Sequence, residues 1–171
     1  LSLNPGKIVI EVEEMQITDP LPASGMIRAL EEHDESEVIG VWHRSGLAAY
    51  PFLPTWQSLT LEKAGDVFRT MIRPFCAIWV AEVDGHIAGY LAMKGSYLDR
   101  LYIDPPHWRK GWGRCFIQLA KQISPIGLVL HTHQENRPAC VFYEKEGFKA
   151  IKFGISPPPE SAPDVEYHWR P

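Results

Sequence analysis

The chain has 171 residues, of which 45% are hydrophobic and 22% charged, with 17 basic against 21 acidic side chains and a formal net charge of −4. That length suits a single domain that buries about two thirds of its unfolded surface without staples. The acidic balance argues against a nucleic-acid partner, which needs a basic excess, and no segment reaches the length of a membrane span.

Residues 1–25 hold an alternating segment, Ile8-Val9-Ile10-Glu11-Val12, and then Asp19-Pro20-Leu21-Pro22. They read as an N-terminal extension, either an extra edge strand or a tail ahead of the domain at 26–171. Glu11, Glu13 and Glu14 fall where a signal peptide would need an apolar run. Cys76, Cys115 and Cys140 are odd in number, follow no metal-ligand spacing and sit among apolar residues, as reduced thiols do. The expected location is the cytoplasm.

Met26 to Leu30 is the first expected strand of the domain. Asp34 with Glu37 three residues on is a capping-box spacing, ahead of a helix carrying Ile39, Trp42 and Leu47. Thr60 opens a second helix in which Leu61, Ala64, Phe68 and Met71 share a face, with Pro74 marking its end. Ala77–Val83 and His86–Lys94 form a hairpin about Asp84-Gly85, a two-residue turn whose twist matches that of the strands.

The next strand, Tyr97 to Ile103, alternates, with Tyr97, Asp99, Leu101 and Ile103 facing one way and Leu98, Arg100 and Tyr102 the other. Pro105 and Pro106 end it, since proline lacks the N–H a ladder needs. Trp112, Cys115, Phe116, Leu119, Ala120 and Ile123 then recur at helical spacing, which puts Gly111 and Gly113 on the first turn of an amphipathic helix. The first N–H groups of a helix lack backbone partners and carry the positive dipole end, and glycines let an anion approach them. Arg109, Lys110 and Arg114 add charge there. On the glycines alone, a flexible strand-to-helix turn is an equal reading. A dinucleotide fold wants a third glycine where Phe116 stands, and a P-loop wants Gly-Lys-Ser/Thr, so both are disfavoured.

Leu128 to His133 is a short buried strand, reached through the helix by a right-handed parallel crossover. His131-x-His133 puts two imidazoles on one of its faces, but no third ligand is at hand, so a structural or pocket role is expected and a metal is not. A helix from Arg137 ends at Gly147, and Phe148–Phe153 and Val165–Trp169 close the sheet around Pro157-Pro158-Pro159. No Gly-x-Ser-x-Gly elbow offers a hydrolase nucleophile. The fold class is α/β (α+β), a mixed central sheet of about seven strands with helices on both faces.

Two stretches resemble a known family. The run Leu101-Tyr102-Ile103, a proline, then Trp108-Arg109-Lys110-Gly111-Trp112-Gly113 at a helix start is similar to motif A of the GNAT N-acetyltransferase superfamily. One departure is Trp108, where that motif usually has Gln or Arg. Asn136-Arg137-Pro138-Ala139-Cys140-Val141-Phe142-Tyr143-Glu144-Lys145-Glu146-Gly147-Phe148 resembles the family's second signature, Asn-x-x-Ala-x-x-Phe-Tyr-Glu-x-x-Gly-Phe.

The resemblance implies a GNAT fold with a parallel strand pair splayed around acetyl-CoA. It also implies transfer of the acetyl group to a primary amine by direct attack in a ternary complex. A non-catalytic acyl-CoA-binding or regulatory module on the same fold is the alternative. By the same resemblance the backbone of Leu101, Tyr102 and Ile103 pairs with pantetheine, and the amides of Trp108, Arg109, Lys110, Gly111, Trp112, Gly113 and Arg114 hold the pyrophosphate. Asn136, Ala139 and Phe142 contact the cofactor. Tyr143 lies near its sulfur and protonates the departing thiolate, or else is a packing aromatic. Asp99 faces the acceptor, taking its proton through water or binding its ammonium, unless it is a surface pair with Arg100 or Lys94. Tyr50 and Phe52 border the acceptor pocket or cap the core, and His131 and His133 join them as substrate candidates. The partner is a small-molecule or peptide amine, with no nucleic acid and no membrane, and a homodimer is left open.

Overall fold

The computed structural model describes residues 10–11 and 24–171. One mixed sheet of eight strands has the order β1-β2-β3-β4-β5-β6-β8-β7. Its strands are β1 (Ile10–Glu11), β2 (Met26–Ala29), β3 (Ala77–Val83), β4 (His86–Lys94), β5 (Tyr97–Ile103), β6 (Leu128–His133), β7 (Lys149–Ile155) and β8 (Pro163–Trp169). The helices are α1 (Glu35–Ala49), α2 (Pro54–Gln57), α3 (Leu61–Val67), α4 (Trp112–Ile123) and α5 (Arg137–Lys145). Every neighbouring pair is antiparallel except β5 and β6, which run parallel. The strand beyond the expected seven is β1, where Ile10 pairs with Ile27 and Glu11 with Met26. The rest of the strand expected over Ile8–Val12 lies outside the described residues. Among those described, no helix is long and apolar enough to cross a membrane.

Each face of the sheet has its own core. Trp79, Leu91 and Met93 pack under Trp112 and Phe116 of α4 and Tyr143 of α5. Val80, Tyr90 and Ala92 point the other way, against Val38 and Trp42 of α1, Ala64 of α3 and Phe68. Gly46 of α1 is fixed by close approach, since a Cβ there would stand 1.9 Å from Cζ3 of Trp56.

The alternation expected along β5 is broken by a bulge. Ala92 pairs with Arg100 but Met93 pairs with Leu98, which leaves Asp99 as the extra residue. Leu98 therefore joins Leu101 and Ile103 in the α4-side core, opposite to expectation, while Tyr102 packs on the other face.

The helix starts also differ in part. Asp34 does not cap α1 with Glu37. It turns back to accept from Nη1 and Nη2 of Arg28 at 2.6 and 2.8 Å and from the Glu31 amide at 2.8 Å. A two-pronged guanidinium outcompetes a single helix amide. Glu37 is drawn to β4 instead, accepting from the Ile87 amide at 2.7 Å. Thr60 does cap α3, accepting from the Lys63 amide at 3.3 Å. Of the stripe expected on that helix, Ala64 and Phe68 are buried but Leu61 and Met71 are exposed. Ile72 is buried in place of Met71, because Phe68–Ile72 is a π turn whose wider winding rotates the inner face by a residue.

Candidate active site

β5 and β6 share only one ladder position, Tyr97 opposite Val129, beside a bond from the Val129 amide to the Ser96 carbonyl at 3.1 Å. Beyond it the two strands diverge around a cleft of about 900 Å³. The Asp104 amide donates to the Ala88 carbonyl of β4 at 2.8 Å. Backbone groups alternate sides along a strand, so the N–H and C=O of Leu101 and Ile103 face the gap, and those of Tyr102 face β4. Of the three residues expected to offer backbone to a ligand, Leu101 and Ile103 thus have it turned to the gap and Tyr102 has it turned to β4. Trp108 folds back to donate its indole N–H to the Ile103 carbonyl at 2.6 Å, which accounts for a tryptophan at that place.

The mouth of the cleft is the start of α4. Arg109 (φ 63°) and Gly111 (φ 91°) both adopt left-handed backbone, which turns the chain sharply into the helix. The first intrahelical bond runs from the Cys115 amide to the Gly111 carbonyl at 3.1 Å, so the amides of Trp112 and Gly113 precede it. Arg109, Gly111, Gly113 and Arg114 line the cleft, as does Trp108. The Trp112 side chain lies in the core and Lys110 is exposed outside the cleft wall, so those two can contribute backbone there but not side chains. Arg114 is also tied down, its Nε 2.9 Å from Oε1 of buried Glu146. At Gly113 a Cβ would stand 3.1 Å from Cζ of Phe142, so α4 and α5 touch through this glycine.

The far wall is α5. Asn136 caps it, its side-chain oxygen accepting from the Ala139 amide at 3.3 Å, and Asn136, Ala139, Phe142 and Tyr143 all line the cleft. Tyr143 packs on Phe142, Phe148 and Tyr167, with centroids 5.2, 5.6 and 6.2 Å away. Burial raises its hydroxyl well above the usual phenol range.

A second cavity of about 620 Å³ adjoins the first, and Tyr50, Asp99 and His131 border both. Tyr50 and Phe52 lie 5.3 and 6.3 Å from the His133 ring, so three of the four substrate candidates meet in one cluster. Burial lowers the His133 imidazole below its ordinary value, and its Nδ1 is buried without a partner. Asp99 pairs with Arg100 at 3.1 Å. Among the described residues no group of three His, Cys, Asp or Glu side chains could hold a metal ion. Sequence reasoning missed Tyr97 and Glu166, which flank His131, and the small residues Ser45, Ala48 and Ala49 that leave α1 clear of the cleft.

Residues 74–150 match the model of the acetyltransferase (GNAT) domain. Over 119 residues the chain is 33% identical to the peptidyl-lysine N-acetyltransferase YjaB of Salmonella typhimurium, spanning 68% of this chain and 79% of that relative. The chain belongs to the GNAT acetyltransferases. This GNAT chain superposes on the solution structure of apo-form YjaB from Escherichia coli with a TM-score of 0.68 at 26% identity, over 84% of this chain and 95% of that one. It shares its fold with the PaiA N-acetyltransferase of Thermoplasma acidophilum, solved in complex with coenzyme A, at a TM-score of 0.65 and 21% identity over 86% and 99% of the two chains. As a GNAT enzyme it is an acyltransferase that moves an acetyl group from acetyl-CoA to an amine nitrogen.

Proposed function

We propose that this GNAT enzyme acetylates the side-chain amine of a polypeptide lysine by direct attack in a ternary complex. The observation that carries the reading is the gap between β5 and β6, which opens after Tyr97 and leaves the N–H and C=O of Leu101 and the N–H of Ile103 unpaired by β6, the Ile103 carbonyl being held by Trp108. These fit the amides of pantetheine as an added strand. The left-handed turn at Arg109 and Gly111 and the free first-turn amides of α4 fit the pyrophosphate, with the Arg109 guanidinium beside it. Asn136, Ala139 and Phe142 flank the acyl arm in this reading.

When bound, acetyl-CoA supplies an electrophilic thioester carbonyl. The residues do the rest. Tyr50, Phe52 and His133 give the lysine stem an apolar, aromatic passage. Asp99, Glu160, Asp164 and Glu166 line the second cavity against Arg100 and Lys152, an acidic excess that favours a cationic side chain. Asp99 holds the ammonium, and Tyr143 gives a proton to the leaving sulfur. The name of the YjaB relative, a peptidyl-lysine acetyltransferase, supports the same acceptor. The enzyme domain in this reading is 26–171 with 1–25 as an extension, and three free cysteines suit the cytoplasm.

The test is acetyl-CoA with lysine-bearing peptides blocked at the N-terminus, the same peptides with a free α-amine, and a panel of small amines, read by mass spectrometry and CoA release. Modification at lysine Nε is expected. Acetylation confined to α-amines or to small amines would replace the lysine assignment.

A further inference from the structure

His131 stands where the two cavities meet, with both ring nitrogens engaged. Its Nδ1 lies 3.2 Å from the Tyr97 hydroxyl and its Nε2 lies 3.4 Å from Oε2 of Glu166. Strand register builds this set: Glu166 is opposite His131 in the β6–β8 ladder, and Tyr97 pairs with Val129, on the same face of β6 as His131. The other Glu166 oxygen accepts from Nε2 of His168 at 2.5 Å. An ionised carboxylate can only accept, so the tautomer that suits both neighbours has the proton on Nε2 and leaves Nδ1 to accept from the Tyr97 hydroxyl.

We propose that Tyr97, His131 and Glu166 form the proton exit for the attacking amine, an assignment that rests on the acetyl-transfer reading above. The substrate ammonium gives one N–H proton to the Tyr97 oxygen as the Tyr97 hydroxyl passes its own to Nδ1 of His131. The imidazolium faces Glu166 and later releases that proton to solvent through its 40% exposed side chain. The neutral amine attacks the thioester carbon, the C–N bond forms and the C–S bond breaks. Its second proton reaches the departing sulfur by way of Tyr143. One amine proton is lost to solvent and one ends on CoA, as the overall reaction requires.

Tyr97 is the catalytic contact, His131 acts through it, and Glu166 positions His131. Charged groups surround the ring on every side. Asp99 and Arg100 come from β5, Asp164, Glu166 and His168 from β8, and Lys152 from β7, with Glu160 beyond and His133 on the same strand. Four carboxylates there outnumber the two fixed cations.

Two measurements test this. Nitrogen-15 NMR of the His131 ring is expected to show a protonated Nε2 and a bare Nδ1 at neutral pH, with Nδ1 shifted by Tyr97→Phe. A protonated Nδ1 in the neutral ring overturns the relay whether or not an acceptor is known. In steady-state assays with a lysine peptide, or with spermidine if the peptide is not turned over, Tyr97→Phe and His131→Gln should each lower kcat by about 100-fold. Acetyl-CoA affinity and melting temperature should be unchanged in both. Glu166→Gln should loosen the tautomer, seen as partial protonation of Nδ1 in the nitrogen-15 spectra, because the amide no longer offers an ionised acceptor to Nε2. Ring spectra unaltered by Glu166→Gln, or full kcat in the other two variants, overturns this proposal alone. A wild-type protein that acetylates no amine overturns the acetyl-transfer reading with it.

Discussion

Tyr143 lines the cleft and is packed on three aromatic rings, and burial holds its hydroxyl protonated beyond the pH range of an enzyme assay. Such a group stays protonated and neutral throughout, and in the proposed reaction releases its proton only as negative charge develops on the departing sulfur. Tyr143→Phe is expected to lower turnover by roughly 100-fold, with acetyl-CoA affinity and melting temperature nearly constant. Full activity in that variant would leave the ring a packing group. Asp34 makes a contrasting case, structural rather than chemical. Burial pushes its carboxyl up, but bonds from Arg28 and the Glu31 amide outweigh this and leave it below the ordinary value. A carboxyl lowered by folding adds stability that is fully present above its unfolded pKa, about 3.9, and is lost as pH falls through the folded value. Asp34→Asn is therefore expected to cost about 2 kcal/mol at neutral pH, since it removes the charged acceptor of two Arg28 bonds and leaves Glu82, 2.8 Å from Nε, as that guanidinium's carboxylate partner. In urea titrations that deficit should shrink below about pH 4, where wild type loses the same contribution.

Among the elements, the start of α4 carries the most constraint for its length. Gly111 needs a left-handed backbone that costs a residue with a Cβ about 1–2 kcal/mol, and Gly113 needs room against Phe142. Gly111→Ala and Gly113→Ala are expected to lower the melting temperature by a few degrees, and Gly113→Ala to weaken acetyl-CoA binding by displacing Phe142 into the cleft. Calorimetry on both variants checks this; unaltered affinity in Gly113→Ala would show that the α4–α5 contact does not shape the ligand wall. This helix was legible in the sequence because its signals are local: a Gly-x-Gly start and a buried stripe from Trp112 to Ala120. The hairpin at Asp84-Gly85 and the strand-helix-strand crossover were legible for the same reason. What stayed hidden depends on partners distant in the chain. The bulge at Asp99 exists only in the register of β5 against β4, the loss of the Asp34 cap only through Arg28, and the π turn shows only in the exposure of Met71. Tyr97 and Glu166 escaped notice because 34 residues separate Tyr97 from His131, and Glu166 meets His131 through an antiparallel ladder rather than through any motif.

For the molecule as a whole, the two cores hold the sheet from both sides while its centre parts. Arg44 of α1 grips Asp104, just beyond β5, through two bonds of 3.0 and 2.8 Å, so the diverging strand end is anchored to the helix layer rather than to β6. Acetyl-CoA binds only the folded chain, so at 100 times its dissociation constant it should add about 2.7 kcal/mol of stability. For a domain of this size that raises the melting temperature by roughly 5–10 °C. Scanning fluorimetry measures this, and no shift at saturation would count against a preformed cleft. The parting of β5 from β6 has a finer consequence in time. Amide hydrogens on one strand should exchange with solvent deuterium on two clocks: slowly at Tyr102, which faces β4, and fast at Leu101 and Ile103, which face the gap. Occupation of the gap by pantetheine should bring the fast pair down to the rate of its neighbour.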